Sequence, residues 1–117
     1  MVATQSLSNL KEEQKGDVLI LRISGRLDTL SSPVAEKKIF DAINNGHYKL
    51  LIDLSGVTYL SSAGMRMFLS TTKKLKTLSG KMVLSGMAPN VMDVLKISGF
   101  DHILQLYKVE EEALRYF

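Results

Sequence analysis

Lys49 to Leu69 reads KLLIDLSGVTYLSSAGMRMFL, and the change of hydrophobic period inside it decides the fold. Lys49 to Leu54 (KLLIDL) is a nearly unbroken apolar run, the pattern of a strand buried on both faces. Ser55-Gly56 is expected to end it, and Tyr59-Leu60 follows as a short apolar turn. Ser61-Ser62 then precedes a helical pattern from Ala63 to about Leu78, with Met65, Phe68, Leu69, Thr72 and Leu75 on one face. Lys81 to Ser85 (KMVLS) is strand-like again. Strand, helix and strand in this order predict a crossover unit of an α/β layer.

Both flanks extend the same alternation. Upstream, Leu7 to Glu13 reads as an edge strand, Lys15-Gly16-Asp17 as a turn, and Val18 to Ser24 (VLILRIS) as a buried strand, which together predict a hairpin. Ser32-Pro33 opens a helix, because proline at the first helical position loses no needed hydrogen bond. Ala35, Ile39, Ala42 and Ile43 recur at helical spacing, and Gly46 is suited to stop the helix in a left-handed conformation. Downstream, Pro89 opens a helix with Val91, Val94 and Leu95 inward and Gly99 as its stop. Ile103 to Tyr107 reads as a last strand, and Val109 to Tyr116 as a short terminal helix. The expected fold is α/β, a mixed sheet with packed helices, in one domain spanning residues 1–117.

Composition narrows the function classes. The 117 residues are 45% hydrophobic and 23% charged, enough for a real core in one compact domain. No apolar run approaches the roughly 18–20 residues that span a bilayer, and Met1 to Leu10 is polar with no apolar signal core. No membrane partner and a cytoplasmic location are therefore expected. The chain has no cysteine, which excludes disulfides, thiolate nucleophiles and zinc–thiolate sites. The net charge of +3 is spread along the chain apart from Lys73, Lys74 and Lys76, and tryptophan is absent. A nucleic-acid surface would show a longer basic stripe with interleaved aromatics, so those lysines read as a solvated helix face.

Asp53 to Leu69 (DLSGVTYLSSAGMRMFL) resembles the signature of the STAS family, the domain shared by bacterial anti-sigma-factor antagonists and the cytosolic tails of some anion transporters. Ile23 to Asp28 (ISGRLD) is similar to that family's Gly-x-Leu-Asp loop. Ser85 to Phe100, closing on Ile-Ser-Gly-Phe, is similar to a third family region. Ser-Ser-Ala-Gly alone recurs by chance; three pieces in order and spacing, from about Val18 to Phe117, carry the resemblance.

The resemblance implies that Ser62 is the phosphorylated serine, directly before the small residue and glycine that begin the helix. The family residue before it is often aspartate, whereas this chain has Ser61, which leaves Ser61 as the alternative target. Asp28 matches the loop acid near the phosphosite, and Gly64 the family glycine. The implied neighbourhood comprises Asp28, Thr29, Ser61, Ala63, Gly64, Met65, Arg66 and Met67. A partner-switching role follows from the resemblance. The unphosphorylated chain would bind an anti-sigma factor that is also a serine kinase, and phosphorylation would release it. A serine phosphatase would then reset it. ATP and metal belong to those enzymes, and no cofactor of this chain is implied. The alternative is a STAS subunit of a signalling or transport complex without a sigma factor.

Elementary chemistry supports a switch at this place. A serine at a helix N-terminus lies near unpaired N–H groups and the positive end of the macrodipole. Phosphorylation adds about −1.5 to −2 charges and three acceptor oxygens, to which the amides of Gly64 and Met65 are expected to donate. Asp28 and Asp53 would then stand near the phosphate. On the helical wheel, Arg66 and Met67 are expected to point outward, Met67 as an adaptable partner contact. Plainer readings stand beside these: Ser61 or Ser62 as a helix cap, Asp28 as a turn acid, Asp53 as a strand-end acid, and Gly25 and Gly64 as backbone requirements. A small serine hydrolase using Ser62 would need a base, and His47 and His102 show no triad or metal spacing. There is neither a Gly-x-Ser-x-Gly elbow nor a phosphate-binding Gly-x-x-x-x-Gly-Lys loop. No catalysis is expected.

Overall fold

A computed structural model describes residues 7–117, with side chains from Asn9 onward; most of the polar segment Met1–Leu10 lies outside the described residues. Strands β1 (Leu7–Lys15) and β2 (Val18–Leu27) form the leading hairpin. Helix α1 (Ser32–Asn44), β3 (Lys49–Leu60), α2 (Ser62–Thr77), β4 (Lys81–Ser85) and α3 (Pro89–Ile97) follow. A 3₁₀ turn (Phe100–His102), β5 (Gln105–Tyr107) and α4 (Glu110–Arg115) complete the chain. The five strands lie in the order β1-β2-β3-β4-β5. Among the described residues only the β1–β2 pair is antiparallel.

This order fixes where the helices go. Each parallel strand from β3 to β5 is added on the same side of its predecessor. Right-handed crossovers therefore deliver α1, α2 and α3 to one face of the sheet. Leu19, Leu21, Ile23, Leu50, Ile52, Leu54, Met82 and Leu84 point to that face. They pack there against Ala35, Ile39 and Ile43 of α1, Met67, Phe68 and Leu75 of α2, and Val91 and Leu95 of α3. The alternate residues Val18, Ile20, Leu51 and Val83 face the other way and are covered by Ala113, Leu114 and Phe117 at the C-terminal end. Burial on both faces is why β2 and β3 read as apolar runs rather than as alternation.

Strands β1 and β2 run on to Lys15 and Leu27, past the expected Glu13 and Ser24, and two further boundaries depart from the sequence reading. Ser55-Gly56 does not end β3, which continues to Leu60. Gly56 lies so close to β2 that a Cβ there would meet Ser24 Oγ at 2.6 Å. The glycine thus permits close approach of two strands whose register shifts between Arg22 and Ser24, and it marks no turn. Ile103 precedes β5 rather than starting it, because Leu104 amide closes the 3₁₀ turn onto Phe100 carbonyl at 2.8 Å.

A polar clamp holds the α4 face. Arg22 on β2 meets Glu13 at 2.7 Å, Asp53 at 2.9 Å and Glu110 at 2.6 Å, and Lys15 reaches Glu110 at 2.7 Å. Hydrogen bonds from Arg22 and then Lys15 hold the Glu110 carboxyl down at about 2. Asp53 also accepts the Ser55 amide at 2.9 Å.

Candidate functional site

The site lies at the carboxyl ends of β2 and β3, where the chain leaves the sheet for α1 and α2. The two exits are tied by one bond: the Ser61 amide donates to the Leu27 carbonyl at 2.8 Å. Asp28 and Ser62 each stand one residue beyond that bond, which brings the Gly-x-Leu-Asp loop and the Ser-Ser-Ala-Gly segment together.

Ser61 and Ser62 occupy different chemical positions. Ser61 is the N-cap, extended at φ −86° and ψ 170°, and its Oγ accepts the Gly64 amide at 3.2 Å. Its carbonyl accepts the Met65 amide at 3.0 Å. Ser62 is the first helical residue and is exposed. The capping explanation thus accounts for Ser61 and leaves the Ser62 hydroxyl without that task. It also corrects one expectation. The amides of Gly64 and Met65 are already engaged, so the donors left at the helix mouth are those of Ser62 and Ala63.

Gly64 is buried because the first turn of α2 rests on the strand ends. A Cβ at this position would lie 2.6 Å from Leu60 Cδ1 and 3.3 Å from both Leu27 Cβ and the Leu27 carbonyl oxygen. No other residue type lets the helix start this low over the sheet.

Asp28 organises its own loop. Its Oδ1 accepts the amides of Leu30 at 3.1 Å and Ser31 at 3.0 Å. Ser31, fully buried, accepts the Asp28 amide and donates to the Arg26 carbonyl. The Ser32 amide bonds the Asp28 carbonyl at 2.9 Å. Geometry here is that of a turn acid that also starts α1. Asp53 follows the strand-acid reading and does not stand near Ser62: strand alternation turns it to the α4 face, where Arg22 holds it.

Met67 is corrected as well. It is 3% exposed and packs in the core, with Gly64, Phe68, Thr71, Thr72 and Leu75 completing the inward stripe of α2. Leu69, expected inside, is only half-buried, as is Met65. The stripe is rotated because α2 packs on α1 as well as on the sheet, so the flank holding Met67 is covered. Arg66 is exposed as expected, and so is Thr29.

Sequence reading did not single out the apolar rim of this corner. Leu30 is 55%, Val34 44% and Tyr59 41% exposed. The Arg26 guanidinium lies 4.2 Å from the Tyr59 ring centroid. The available signal was Leu30 and Val34 around the start of α1 and Tyr59 just before the serine pair. Between α1 and α2 runs a cleft of about 390 Å³, bounded by Ser32 and Glu36 on one side and Ala63, Arg66 and Ser70 on the other.

His47 precedes β3 and His102 precedes β5, so both lie at the amino end of the parallel strands, opposite Ser62. Among the described residues no group of three or more His, Cys, Asp or Glu side chains could hold a metal ion, and no helix is long and apolar enough to cross a membrane.

The geometry agrees with what comparison finds. BtrV of Bordetella bronchiseptica is 30% identical over 100 residues, 86% of each chain. The anti-sigma-B factor antagonist of Bacillus subtilis is 26% identical over 107 residues, 92% of this chain and 97% of its own. The Bacillus cell fate determinant SpoIIAA, solved in its phosphorylated form, shares the fold with a TM-score of 0.70 at 22% identity, covering 92% of this chain and 98% of its own. The STAS domain model matches residues 9–113, so the chain belongs to the STAS domain family.

Proposed function

We propose that this protein is an anti-sigma-factor antagonist switched by phosphorylation of Ser62. Unmodified, it docks an anti-sigma factor that is also a serine kinase, and the sigma factor is freed for transcription. The kinase then transfers a phosphoryl group. Ser62 Oγ attacks the γ-phosphorus of ATP, the O–P bond forms as the bond to ADP breaks, and the hydroxyl proton passes to a kinase base. A serine phosphatase restores the hydroxyl by hydrolysis. ATP and metal are supplied by those two enzymes.

The observation that carries this reading is the division of labour between neighbouring serines. Ser61 is consumed by the cap, while Ser62 is exposed at the same end of the sheet as Leu30, Val34 and Tyr59. A dianion there must be desolvated when a partner covers the rim, and that cost opposes docking. The names of the relatives supply the partner class, and SpoIIAA supplies an example of a phosphorylated protein of this fold.

Titration of the candidate anti-sigma kinase tests it. Ser62→Ala should bind as the parent does and stay bound in the presence of ATP. Ser62→Asp should bind about a hundredfold more weakly, a change of about 2.7 kcal/mol. Equal affinity of the two variants would sink the scheme. Mass spectrometry after kinase treatment should place the added phosphate on Ser62 and not on Ser61.

A further inference from the structure

The corner around Ser62 also holds a receiver for the group that would be added there. Arg66 stands one helical turn beyond Ser62, at the i+4 position, exposed and without an ion pair among the described residues. An anion at position i with a cation at i+4 is the favourable order on a helix. The amides of Ser62 and Ala63 are the two donors that the Ser61 cap leaves over. A further donor lines the same cleft as Ala63 and Arg66. Ser32 is only 2% exposed, and its hydroxyl is buried with no hydrogen-bond partner. A buried hydroxyl left so is costly unless a ligand or water completes it.

We propose that Arg66, the amides of Ser62 and Ala63, and the Ser32 hydroxyl form a receiving site for the phosphoryl group of Ser62 in cis. Arg66 is the principal element, because its guanidinium offers paired donors to phosphate oxygens. Phosphorylation then changes the docking face twice. It adds a dianion, and it draws the Arg66 cation away from any acidic group of the partner. The inference rests on the reading that Ser62 is the modified serine.

The charged groups that face this corner are few. From α1 comes Glu36 and from the preceding loop Asp28, whose Oδ1 accepts two amides. From the end of β2 comes Arg26, stacked on Tyr59. Helix α2 carries no acidic residue from Ser62 to Thr77. Glu36 is the one acid among the residues that line the cleft with Arg66, and the two make no ion pair.

The test installs phosphoserine genetically at position 62, so that no kinase is needed, and follows its second ionisation by phosphorus NMR. The parent should ionise about one unit below the ordinary value of about 6. Arg66→Gln should return most of that shift, Arg66→Lys should hold an intermediate value, and Ser32→Ala should move it by less. A value near 6 that is the same in the parent and in Arg66→Gln overturns the site. So does a value lowered equally in both, which would assign the effect to the helix amides alone. Because the phosphate is installed rather than transferred, failure here is separate from failure of the kinase to choose Ser62, which mass spectrometry reads.

Discussion

Arg22 and Arg66 stand on opposite faces of the sheet and show two uses of one side chain. Arg22 is held by Glu13, Asp53 and Glu110 at 2.6–2.9 Å, and those contacts join the hairpin, the central strand and the last helix. Arg66 is exposed, faces a cleft with a single acid, and lies beside a serine hydroxyl with no structural duty. Polar groups on the α4 face are paired with one another, whereas at the α2 mouth Ser61 and Asp28 bond backbone amides and Ser62 and Arg66 stay exposed. The difference follows from cover. Helix α4 lies over the first face and makes satisfaction obligatory, while the second stays open to solvent at the carboxyl ends of the strands.

The largest effect expected on this comparison is at Arg22. Arg22→Ala leaves Asp53, mostly covered, without its cation and Glu110 with Lys15 alone. A loss of about 2 kcal/mol is expected in urea unfolding, with partner affinity unchanged once the folded fraction is allowed for. The acid limb of stability should change with it. The Glu110 carboxyl titrates near 2 when folded and near 4.5 when free. Its contribution is therefore complete above about pH 4.5 and is lost as pH falls toward 2. In Arg22→Ala that loss should shrink to less than half. An acid limb identical to the parent's would remove the clamp from the account of stability.

How far the two regions could be read from sequence differs in the same way. The fold was legible because buried strands and amphipathic helices carry their period in consecutive residues, as VLILRIS and KLLIDL show. The start of α2 at the serine pair was legible because a helix start is a local event, whereas the role given to Ser62 came from the family resemblance. The Arg22 clamp was not, since it joins residues 88 apart whose register appears only when β2, β3 and α4 assemble. Met67 was misassigned for a related reason. A helical wheel gives one inward arc, but α2 packs on two neighbours and buries a wider one. Gly56 misled in the other direction, because Ser-Gly is turn chemistry in isolation and here marks two strands in close approach.

Gly64→Ala probes the seam between the regions at a smaller scale. The added methyl meets a movable Leu60 terminus but also the fixed Leu27 carbonyl. The helix mouth must lift by a few tenths of an ångström. A net loss of about 1–2 kcal/mol is expected, the overpacking outweighing the alanine gain in helix propensity. The lift also moves Ser62, so the rate of phosphorylation should fall with stability. A stabilised variant, read as a raised unfolding midpoint, would show that the first turn of α2 is not pinned to the strand ends.

The smallest effect separates the two serines. Ser61→Ala removes the oxygen that accepts the Gly64 amide and should cost about 1 kcal/mol, the ordinary value of an N-cap. Ser62→Ala removes a hydroxyl that faces solvent at the first helical turn, and should change stability by no more than about 0.5 kcal/mol. Phosphate transfer should show the reverse order, retained in Ser61→Ala and abolished in Ser62→Ala. Crossed behaviour of this kind requires two adjacent residues with independent roles, one tied to the helix and one to the partner. If Ser62→Ala proved the more destabilising variant, its hydroxyl would hold a structural bond, and the contrast between a committed and an uncommitted serine would fail at its own centre.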